Sequence, residues 1–521
     1  MANHNSELSD QVPDLDQDQD QQQLHIVMIP LMAPGHIIPI VHMAKVLARR
    51  GLSITLVLPP LTAARFRPAL ETSNNDKKMI RVLPVPFPAE AAGLPPDCET
   101  VDRLPSNSLV RTFYIAIRRF QQPVEAALRS LPAAAAPAAV ICDKHLPWTA
   151  ATCAEFQIPR IIFDGMGCFA QLVINLLYES RAYENRPLME PFPVPGLPDP
   201  VKFCRAQLPG MFNPGSFEAY DFRAEVRAAE LQAYGVVINT FEELETSHVA
   251  EYRRLRAGKV WCVGPLSLAV SDDAERGENP DAEKCLKWLD GKNPGSVVYA
   301  CLGSLSRLPL EKFVELALGL ETSNRPFILA VRGVDTSIDD WIRDDGFEDR
   351  VCGTGLLVRG WAPQVAILSH GAVGGFLTHC GWNSTLEGIS AGVPMMTWPM
   401  FADQFLNEKL AVEILGVGVG VGARGVVHLG EEDKVVEEYE ECYKVTRDGI
   451  REAIERVMKE DEEEGMEMRK RVRRLAELAK KSVDRGGSSC RNLTLLIREI
   501  GRMNKNKEKG NNNNNNNNNN N

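Results

Sequence analysis

The sequence lacks any apolar run of the roughly 18 residues needed to cross a bilayer, and its first residues carry no apolar signal-peptide core. It also lacks excess positive charge, since 58 lysines and arginines face 69 aspartates and glutamates, for a formal net charge of −11. Because nucleic-acid binding needs a basic face, we expect no nucleic-acid partner. We expect a cytoplasmic protein without an integral membrane segment.

Metal-binding and disulfide patterns are missing as well. The twelve cysteines include no CxxC pair and no metal-type spacing, so we predict reduced thiols of an intracellular protein. Asp-x-Asp spacings, which can hold a divalent ion at a diphosphate, occur within residues 14–20, but these residues belong to a polar N-terminal segment. We therefore predict no metal and no resident cofactor.

The glycine fingerprint of nicotinamide-dependent enzymes is absent too. The first predicted strand is followed by APGHIIP, and the second ends in LVLPP without an acidic residue for a ribose. A G-x-G-x-x-A match within 416–425 follows a helical pattern and is interpreted as a glycine-spaced strand.

What is present is an alternation of short β-branched runs with helical patterns, which is typical of α/β proteins with parallel sheets. A first helix is predicted over 39–50, ending at Gly51. The predicted strands cover 24–30, 53–59, 138–143, 160–164, 235–241, 259–265, 296–304, 327–333, 355–361, 374–378 and 395–399.

The polar, acidic segment 266–283 separates two such series and is interpreted as a linker. We therefore predict two α/β domains, over 24–265 and 284–500, with a cleft between them. Ligands of such domains bind at the carboxyl ends of the strands. Residues 1–23 and the Asn-rich residues 501–521 are expected to be disordered.

The segment 361–404 carries most of the functional information. In it, GGFLT has strand character and leads directly into HCGWNST, which suits the start of a helix. A strand that leads into a helix N-terminus presents free N–H groups and the positive end of the helix dipole, which favour a pyrophosphate. Hydroxyl, amide and imidazole donors at this turn are supplied by His379, Asn383, Ser384 and Thr385.

The rest of the segment suits the other parts of a nucleotide sugar. Glu387, one helical turn beyond Asn383, can accept both hydroxyls of a ribose. Trp361 offers a flat face for a base. Asp403 and Gln404 suit the hydroxyls of a sugar.

This segment resembles the signature box of the plant family 1 UDP-glycosyltransferases along its whole length. The alternative, a buried strand–helix unit with chance polar residues, would have to explain seven matching residue types together. The resemblance covers roughly 24–500 and implies a GT-B fold, in which two Rossmann-like parallel-sheet domains face each other across a cleft. It places the acceptor in the first domain and the UDP-sugar in the second, with the last helix returning to the first domain.

The resemblance also implies which residues contact the UDP-sugar. They are Ser304, Trp361, Ala362, Gln364, His379, Trp382, Asn383, Ser384, Glu387, Asp403 and Gln404. Trp382 and Gln404 look like the choices of family members that use glucose. UDP-galactose or UDP-xylose remains an alternative donor.

His36 is the candidate base. It follows the first strand in PLMAPGHIIP, on a glycine-flanked turn, where a neutral imidazole can take a proton from a hydroxyl. A single histidine at such a position is more often structural or merely exposed. The resemblance implies that His36 is the general base.

Asp143 ends the run AAVICD and would emerge at the same edge of the sheet. Its carboxylate could hold the distal nitrogen of His36, or it could equally cap the helix that follows. The resemblance favours the His36–Asp143 dyad. It further implies a metal-free, inverting displacement that gives a β-glycoside, by an enzyme that we expect to be a monomer; the rival from another class is a catalytically silent UDP-sugar-binding protein.

The acceptor is less defined by the sequence. The expected acceptor-binding regions are the loops 84–115 and 165–225 and the region near Phe401. They contribute bulky apolar side chains, each of which could instead be ordinary core: Phe87, Leu94, Met166, Phe169, Met211 and Phe212. FPAEAAGLPPDCE, GVVINTFEELE and CLKWLDG resemble the branch that glucosylates flavonoids and triterpenoid or steroid aglycones. We therefore expect a small hydrophobic, hydroxylated acceptor.

Overall fold

The computed structural model describes residues 24–70, 79–132, 135–213, 220–270, 280–303, 305–331, 336–428, 444–459 and 463–518. Two parallel sheets with helices on their faces account for most of this chain, as predicted. Half of the expected linker (271–279), the acidic stretch 429–443 and the first 23 residues fall outside the described ranges. Within those ranges, no helix is both long enough and apolar enough to span a membrane.

The first half of the chain builds a seven-stranded sheet and a small antiparallel pair. Its strands, numbered along the chain, are His25–Ile29 (β1), Ser53–Leu58 (β2), Ile80–Pro84 (β3), Ala139–Asp143 (β4), Arg160–Asp164 (β5), Phe192–Pro193 (β6), Lys202–Phe203 (β7), Gly235–Ile238 (β8) and Val260–Cys262 (β9). The parallel order is β3-β2-β1-β4-β5-β8-β9, and β6 pairs with β7.

The second half builds a six-stranded parallel sheet. Its strands are Val297–Cys301 (β10), Phe327–Ala330 (β11), Gly355–Val358 (β12), Val373–Thr378 (β13), Met395–Thr397 (β14) and Gly418–Gly420 (β15). The order is β12-β11-β10-β13-β14-β15. The glycine-spaced strand expected within 416–425 is therefore present as a short edge strand, β15.

Helices cover both sheets. In the first half they are Pro34–Arg49 (α1), Pro60–Leu70 (α2), Ala89–Ala92 (α3), Val110–Arg119 (α4), Gln121–Arg129 (α5), Thr149–Glu155 (α6), Cys168–Ser180 (α7), Tyr220–Leu231 (α8) and Thr246–Leu255 (α9). After it they are Leu266–Ala269 (α10), Pro280–Asp290 (α11), Leu310–Thr322 (α12), Thr336–Asp344 (α13), Phe347–Arg350 (α14), Gln364–Leu368 (α15), Trp382–Ala391 (α16), Gln404–Lys409 (α17), Arg447–Met458 (α18), Glu463–Val483 (α19) and Ser488–Asn518 (α20).

Strand order places one ligand-binding edge in each sheet. The chain runs from β1 outward to β3 and then returns to β4 on the other side of β1. It repeats this from β10 to β12 and back to β13. In parallel α/β sheets, the point where strand order reverses opens a crevice at the carboxyl ends of the strands. Two crevices are thus expected, after β1 and β4 and after β10 and β13.

The strands next to these crevices are buried on both faces. Every residue of β4 and β5 is buried, which explains their nearly continuous apolar sequences AVICD and RIIFD. The carboxylates at their carboxyl ends, Asp143 and Asp164, are each about 1% exposed. A buried carboxylate needs compensating partners, so these positions point to the site.

Two expectations differ from the structure. Helix α1 begins at Pro34, not at residue 39, because a proline fits the first helical turn; His36 therefore lies in that turn and not on a loop. Helix α20 continues to Asn518, through most of the segment expected to be disordered. Its apolar residues Leu493, Leu496 and Ile500 join the core of the first sheet, and Met503 packs against that core.

Candidate active site

His36 and Asp143 meet in the crevice after β1 and β4. His36 Nδ1 lies 2.6 Å from Asp143 Oδ2, although 107 residues separate the two in the chain. The Asp143 side chain is 1% exposed and that of His36 is 27% exposed. Because Nδ1 is engaged, Nε2 is the nitrogen with which His36 can take a proton from a bound molecule.

The second oxygen of Asp143 is held by a residue that sequence reasoning missed. Asp143 Oδ1 accepts hydrogen bonds from the backbone N–H of His145 at 2.8 Å and from its Nδ1 at 3.0 Å. The backbone contact is an Asx turn, so Asp143 does not cap the next helix, α6, whose N-cap is Trp148. A histidine two residues after a strand-end aspartate was the signal available in the sequence.

These contacts set the charges of the site. Burial lowers the pKa of His36, but the negative charge and hydrogen bond of Asp143 outweigh it, and the net pKa is raised. Burial also raises the pKa of Asp143, yet the two histidines bring it well below its usual range. Asp143 is therefore ionised, and His36 is a stronger base than an ordinary histidine.

The same three side chains are the one group within the described residues whose spacing could hold a metal ion, since their ligand atoms lie within 4.8 Å of one another. Two ligands of one ion with bonds of about 2.1 Å lie about 3.4 Å apart. The 2.6 Å between His36 Nδ1 and Asp143 Oδ2 is shorter and fits a hydrogen bond to an ionised group. The contact between His36 and Asp143 is therefore a hydrogen bond in this structure.

The second crevice brings together three of the predicted donor residues. Gln364, at the start of α15, donates from Nε2 to Ser384 Oγ at 2.9 Å and to Glu387 Oε2 at 2.7 Å. Ser384 and Glu387 lie one turn apart on α16. The N-cap of that helix, Gly381, has no side-chain cap, so its first-turn N–H groups remain for an anion.

Trp361 and Ala362 follow β12 at the rim of this crevice. The Trp361 side chain is 44% exposed, which leaves ring surface for a base. Arg65, from α2 of the first domain, has its guanidinium carbon 5.8 Å from the centre of that ring and pairs with Asp102 at 3.0 Å. Ser304 lies outside the described residues.

His379 follows β13 and sits between two glycines. A Cβ at Gly303, whose φ is +85°, would lie 2.5 Å from His379 Nε2, and one at Gly381 would lie 2.4 Å away. Desolvation lowers the pKa of His379 to about 4, so its ring is neutral near pH 7. The two glycines thus make the space that a neutral imidazole donor occupies.

Trp382 and Asn383 turn toward the first domain. Trp382 is 2% exposed and donates from Nε1 to the carbonyl of Asn239 at 2.8 Å, so its indole forms part of the interface between the domains. Asn383 donates from Nδ2 to the carbonyl of Gly35 at 2.6 Å. That carbonyl is available because Pro39, four residues on, has no N–H for it.

Asp403 and Gln404 open α17. Asp403 accepts from Asn407 Nδ2 at 2.7 Å, and desolvation raises the pKa of its carboxyl group. Gln404 Oε1 accepts from the backbone N–H groups of Met400 and Phe401 at 2.8 and 3.0 Å. The acceptor end of Gln404 therefore shapes the loop, and its amide N–H₂ is the end left for a sugar.

Several expected acceptor-pocket residues are core instead. Leu94, Phe169 and Phe212 are almost fully buried within the hydrophobic clusters of the fold. Near His36 lies a buried ion pair, Lys144 Nζ to Asp164 Oδ2 at 3.0 Å, from the ends of β4 and β5. Sequence reasoning missed this buried ion pair as well.

Known proteins resemble this chain over most of its length. A family model described as "UDP-glucoronosyl and UDP-glucosyl transferase" matches residues 269–429, and one described as "Glycosyltransferase, N-terminal domain" matches residues 22–197. UDP-glycosyltransferase 73C3 of Arabidopsis thaliana is 44% identical over 486 residues, which is 92% of this chain and 96% of that protein.

Solved structures agree too. UGT73P12 of Glycyrrhiza uralensis, complexed with glycyrrhetinic acid 3-O-monoglucuronide, is 32% identical with a TM-score of 0.84 over 94% of this chain and 98% of that one. UGT2 of Phytolacca americana, complexed with UDP-2fluoro-glucose and pterostilbene, is 28% identical with a TM-score of 0.72 over 92% and 99% of the two chains. The predicted fold class is thereby confirmed.

Proposed function

The chain belongs to the plant family 1 UDP-glycosyltransferases, and from this membership we propose that it transfers glucose from UDP-glucose to a hydrophobic plant metabolite. The product is a β-O-glucoside on an acceptor hydroxyl. That it is a glycosyltransferase of small molecules follows from the family. The sugar, the acceptor class, the stereochemistry and the residue roles are the proposal.

One observation carries the mechanism: the candidate base and the candidate pyrophosphate site lie next to each other. Asn383, in the first turn of α16, contacts the carbonyl of Gly35, the residue before His36. An acceptor hydroxyl at His36 Nε2 therefore lies beside a sugar whose phosphates lie at the N-terminus of α16.

The proposed step is a single displacement. His36 Nε2 takes the hydroxyl proton while the acceptor oxygen forms a bond to the anomeric carbon. The bond from that carbon to the phosphate oxygen breaks, and UDP leaves with the electron pair. The imidazolium is stabilised by ionised Asp143, and the leaving pyrophosphate by the free N–H groups of α16. Attack from the opposite face converts an α-linked sugar into a β-glycoside.

In this proposal, each of the remaining site residues contacts one part of the UDP-sugar. Trp361 stacks on the uracil, and Glu387 accepts the ribose hydroxyls while Gln364 orients it. His379 and Ser384 contact the phosphates, and Asp403 with Gln404 contacts the sugar. The ligands of the two solved relatives support a hydrophobic acceptor, and the branch resemblance favours a triterpenoid, steroid or flavonoid aglycone.

The test is UDP release from purified protein with UDP-glucose and a panel of flavonol, triterpenoid, steroid and simple phenol acceptors. A product heavier by one hexose, with the anomeric coupling of a β-glucoside, is the expected result. The same assay is carried out with UDP-galactose, UDP-xylose and UDP-glucuronate. Faster turnover with one of these donors would show that its sugar, and not glucose, is the one transferred. UDP binding without turnover of any donor would instead indicate a silent UDP-sugar-binding protein.

A further inference from the structure

His145 makes two of the three hydrogen bonds that hold Asp143, although it was not part of the predicted dyad. We propose that His145 is a positioning residue for the transfer reaction, which fixes the Asp143 carboxylate and limits how strongly it attracts the proton on His36. The proposal rests on the proposed function, because it assumes that His36 is the general base.

The geometry is that of one carboxylate held at both oxygens. His36 Nδ1 contacts Oδ2 at 2.6 Å, and His145 Nδ1 contacts Oδ1 at 3.0 Å. The two rings lie 5.6 Å apart, centre to centre, at an angle of 86°. Rotation of the Asp143 carboxylate would break both contacts at once. The side chain of His145 therefore fixes the plane in which His36 is held.

Proton positions follow from the charge of Asp143. An ionised carboxylate only accepts hydrogen bonds, so both Nδ1 atoms carry hydrogen. The hydrogen bond from His145 draws negative charge toward Oδ1 and away from Oδ2. It therefore weakens the attraction between Asp143 and the His36 imidazolium. Without it, the pKa of His36 would rise further, and His36 would be neutral only at higher pH.

The other charged groups around the dyad do not substitute for this contact. Lys144 pairs with Asp164 at the ends of β4 and β5. Asp403 of the second domain and Asp164 both raise the pKa of His36. Tyr114 of α4 is partly buried, and desolvation together with the charge of Asp143 raises its pKa, so it stays neutral. These groups are unchanged in a His145 variant, so a change in the pH profile reports on His145 itself.

The experiment compares pH–rate profiles of wild type, His145→Ala and His145→Asn with UDP-glucose and the best acceptor. In wild type, kcat/KM rises with pH as His36 loses its proton. In His145→Ala, we expect turnover near pH 7 to fall about 3- to 30-fold, with the rising limb shifted to higher pH and much of the rate recovered there. In His145→Asn, the amide N–H can reach Oδ1, so both effects should be largely reversed.

A matched control is His370→Ala. The His370 side chain is 23% exposed, close to the 22% of His145, and it also faces an aspartate, Asp290, at 3.3 Å. Unlike His145, it lies in the second domain. Its profile should match wild type. Thermal melting of each variant separates a loss of folded protein from a loss of activity.

Three outcomes would overturn the proposal. One is a His145→Ala profile identical to wild type. Another is an equal loss of rate at every pH that His145→Asn does not reverse, which would make His145 only a structural residue. The third is full activity of His36→Ala, which would remove the base itself and with it the proposed mechanism. Inactive His36→Ala with an unshifted His145→Ala profile would overturn the role of His145 alone.

Discussion

The crevice after β1 and β4, on the proposed acceptor side, and the crevice after β10 and β13, on the proposed donor side, occupy equivalent places in two similar sheets. Their side chains nevertheless differ in chemistry. On the acceptor side, a buried aspartate binds two histidines at 2.6 and 3.0 Å, and a buried lysine–aspartate pair lies nearby. On the donor side, the described contacts are mostly neutral donors, open N–H groups and glycine-made space around His379. This difference fits the proposed roles, proton transfer in the first crevice and anion binding in the second.

The largest expected effect tests the proton-transfer side. His36→Ala removes the base but touches none of the proposed donor contacts. Turnover should fall about 10²- to 10⁴-fold, the usual contribution of a general base, while UDP affinity stays near wild type. Steady-state kinetics and calorimetric titration of UDP measure the two quantities. Turnover within threefold of wild type would remove His36 from the mechanism.

Glu387→Ala tests the anion-holding side. It removes the carboxylate that Gln364 orients at 2.7 Å, and with it the proposed partner of the ribose hydroxyls. Loss of hydrogen bonds to a charged group predicts a rise of about 10- to 100-fold in the KM for UDP-glucose. The kcat at saturating donor should change much less. An unaltered donor KM would contradict the ribose role.

Gly303→Ala tests whether donor binding depends on the space that Gly303 leaves for the His379 imidazole. The new methyl group would lie 2.5 Å from His379 Nε2, so the imidazole must move. Donor KM should rise about tenfold, and stability should fall by about 1–3 kcal/mol because φ is +85°.

Gly295→Ala is the matched control for this change. Its φ is +66°, but nothing lies within 4 Å of the added Cβ. It should therefore lose stability without a change in donor KM. Equal donor KM values for the two variants would show that the position of His379 does not limit binding.

How far the sequence predicts this molecule depends on how local each feature is. All of the predicted donor residues except Ser304 lie within one segment of 44 residues, 361–404, so their shared location could be read directly. The contact of His36 with Asp143 spans 107 residues; the strand ends suggested it only as one of two equal alternatives, and the resemblance decided between them. His145 was missed because its role depends on the rotation of a neighbouring carboxylate, which spacing alone does not specify.

The sequence also did not predict how individual side chains are oriented. Trp382 fits the donor segment by position, but its ring lies in the interface between the domains, because the glycine at 167 leaves room for it. The start of α1 at Pro34 was missed because GHIIP was interpreted as a turn, whereas Pro34 fits the first helical turn and Pro39 lies inside the helix at the cost of one backbone hydrogen bond.

The smallest expected effect concerns the link between the two crevices. Pro39→Ala gives position 39 an N–H that can bond the carbonyl of Gly35, which then competes with the 2.6 Å contact from Asn383. Helix α1 should become more stable while the contact between the domains weakens. We therefore expect a higher melting temperature together with a two- to threefold higher donor KM, since about 0.5 kcal/mol of the contact is lost.

Pro68→Ala separates these two effects. Pro68 also lies inside a helix, α2, but it is exposed. It should raise the melting temperature without changing the donor KM. If Pro39→Ala behaves in the same way, the contact between Gly35 and Asn383 does not couple the base to the donor site. If only Pro39→Ala changes the KM, the proline that frees this carbonyl is part of how the two crevices meet.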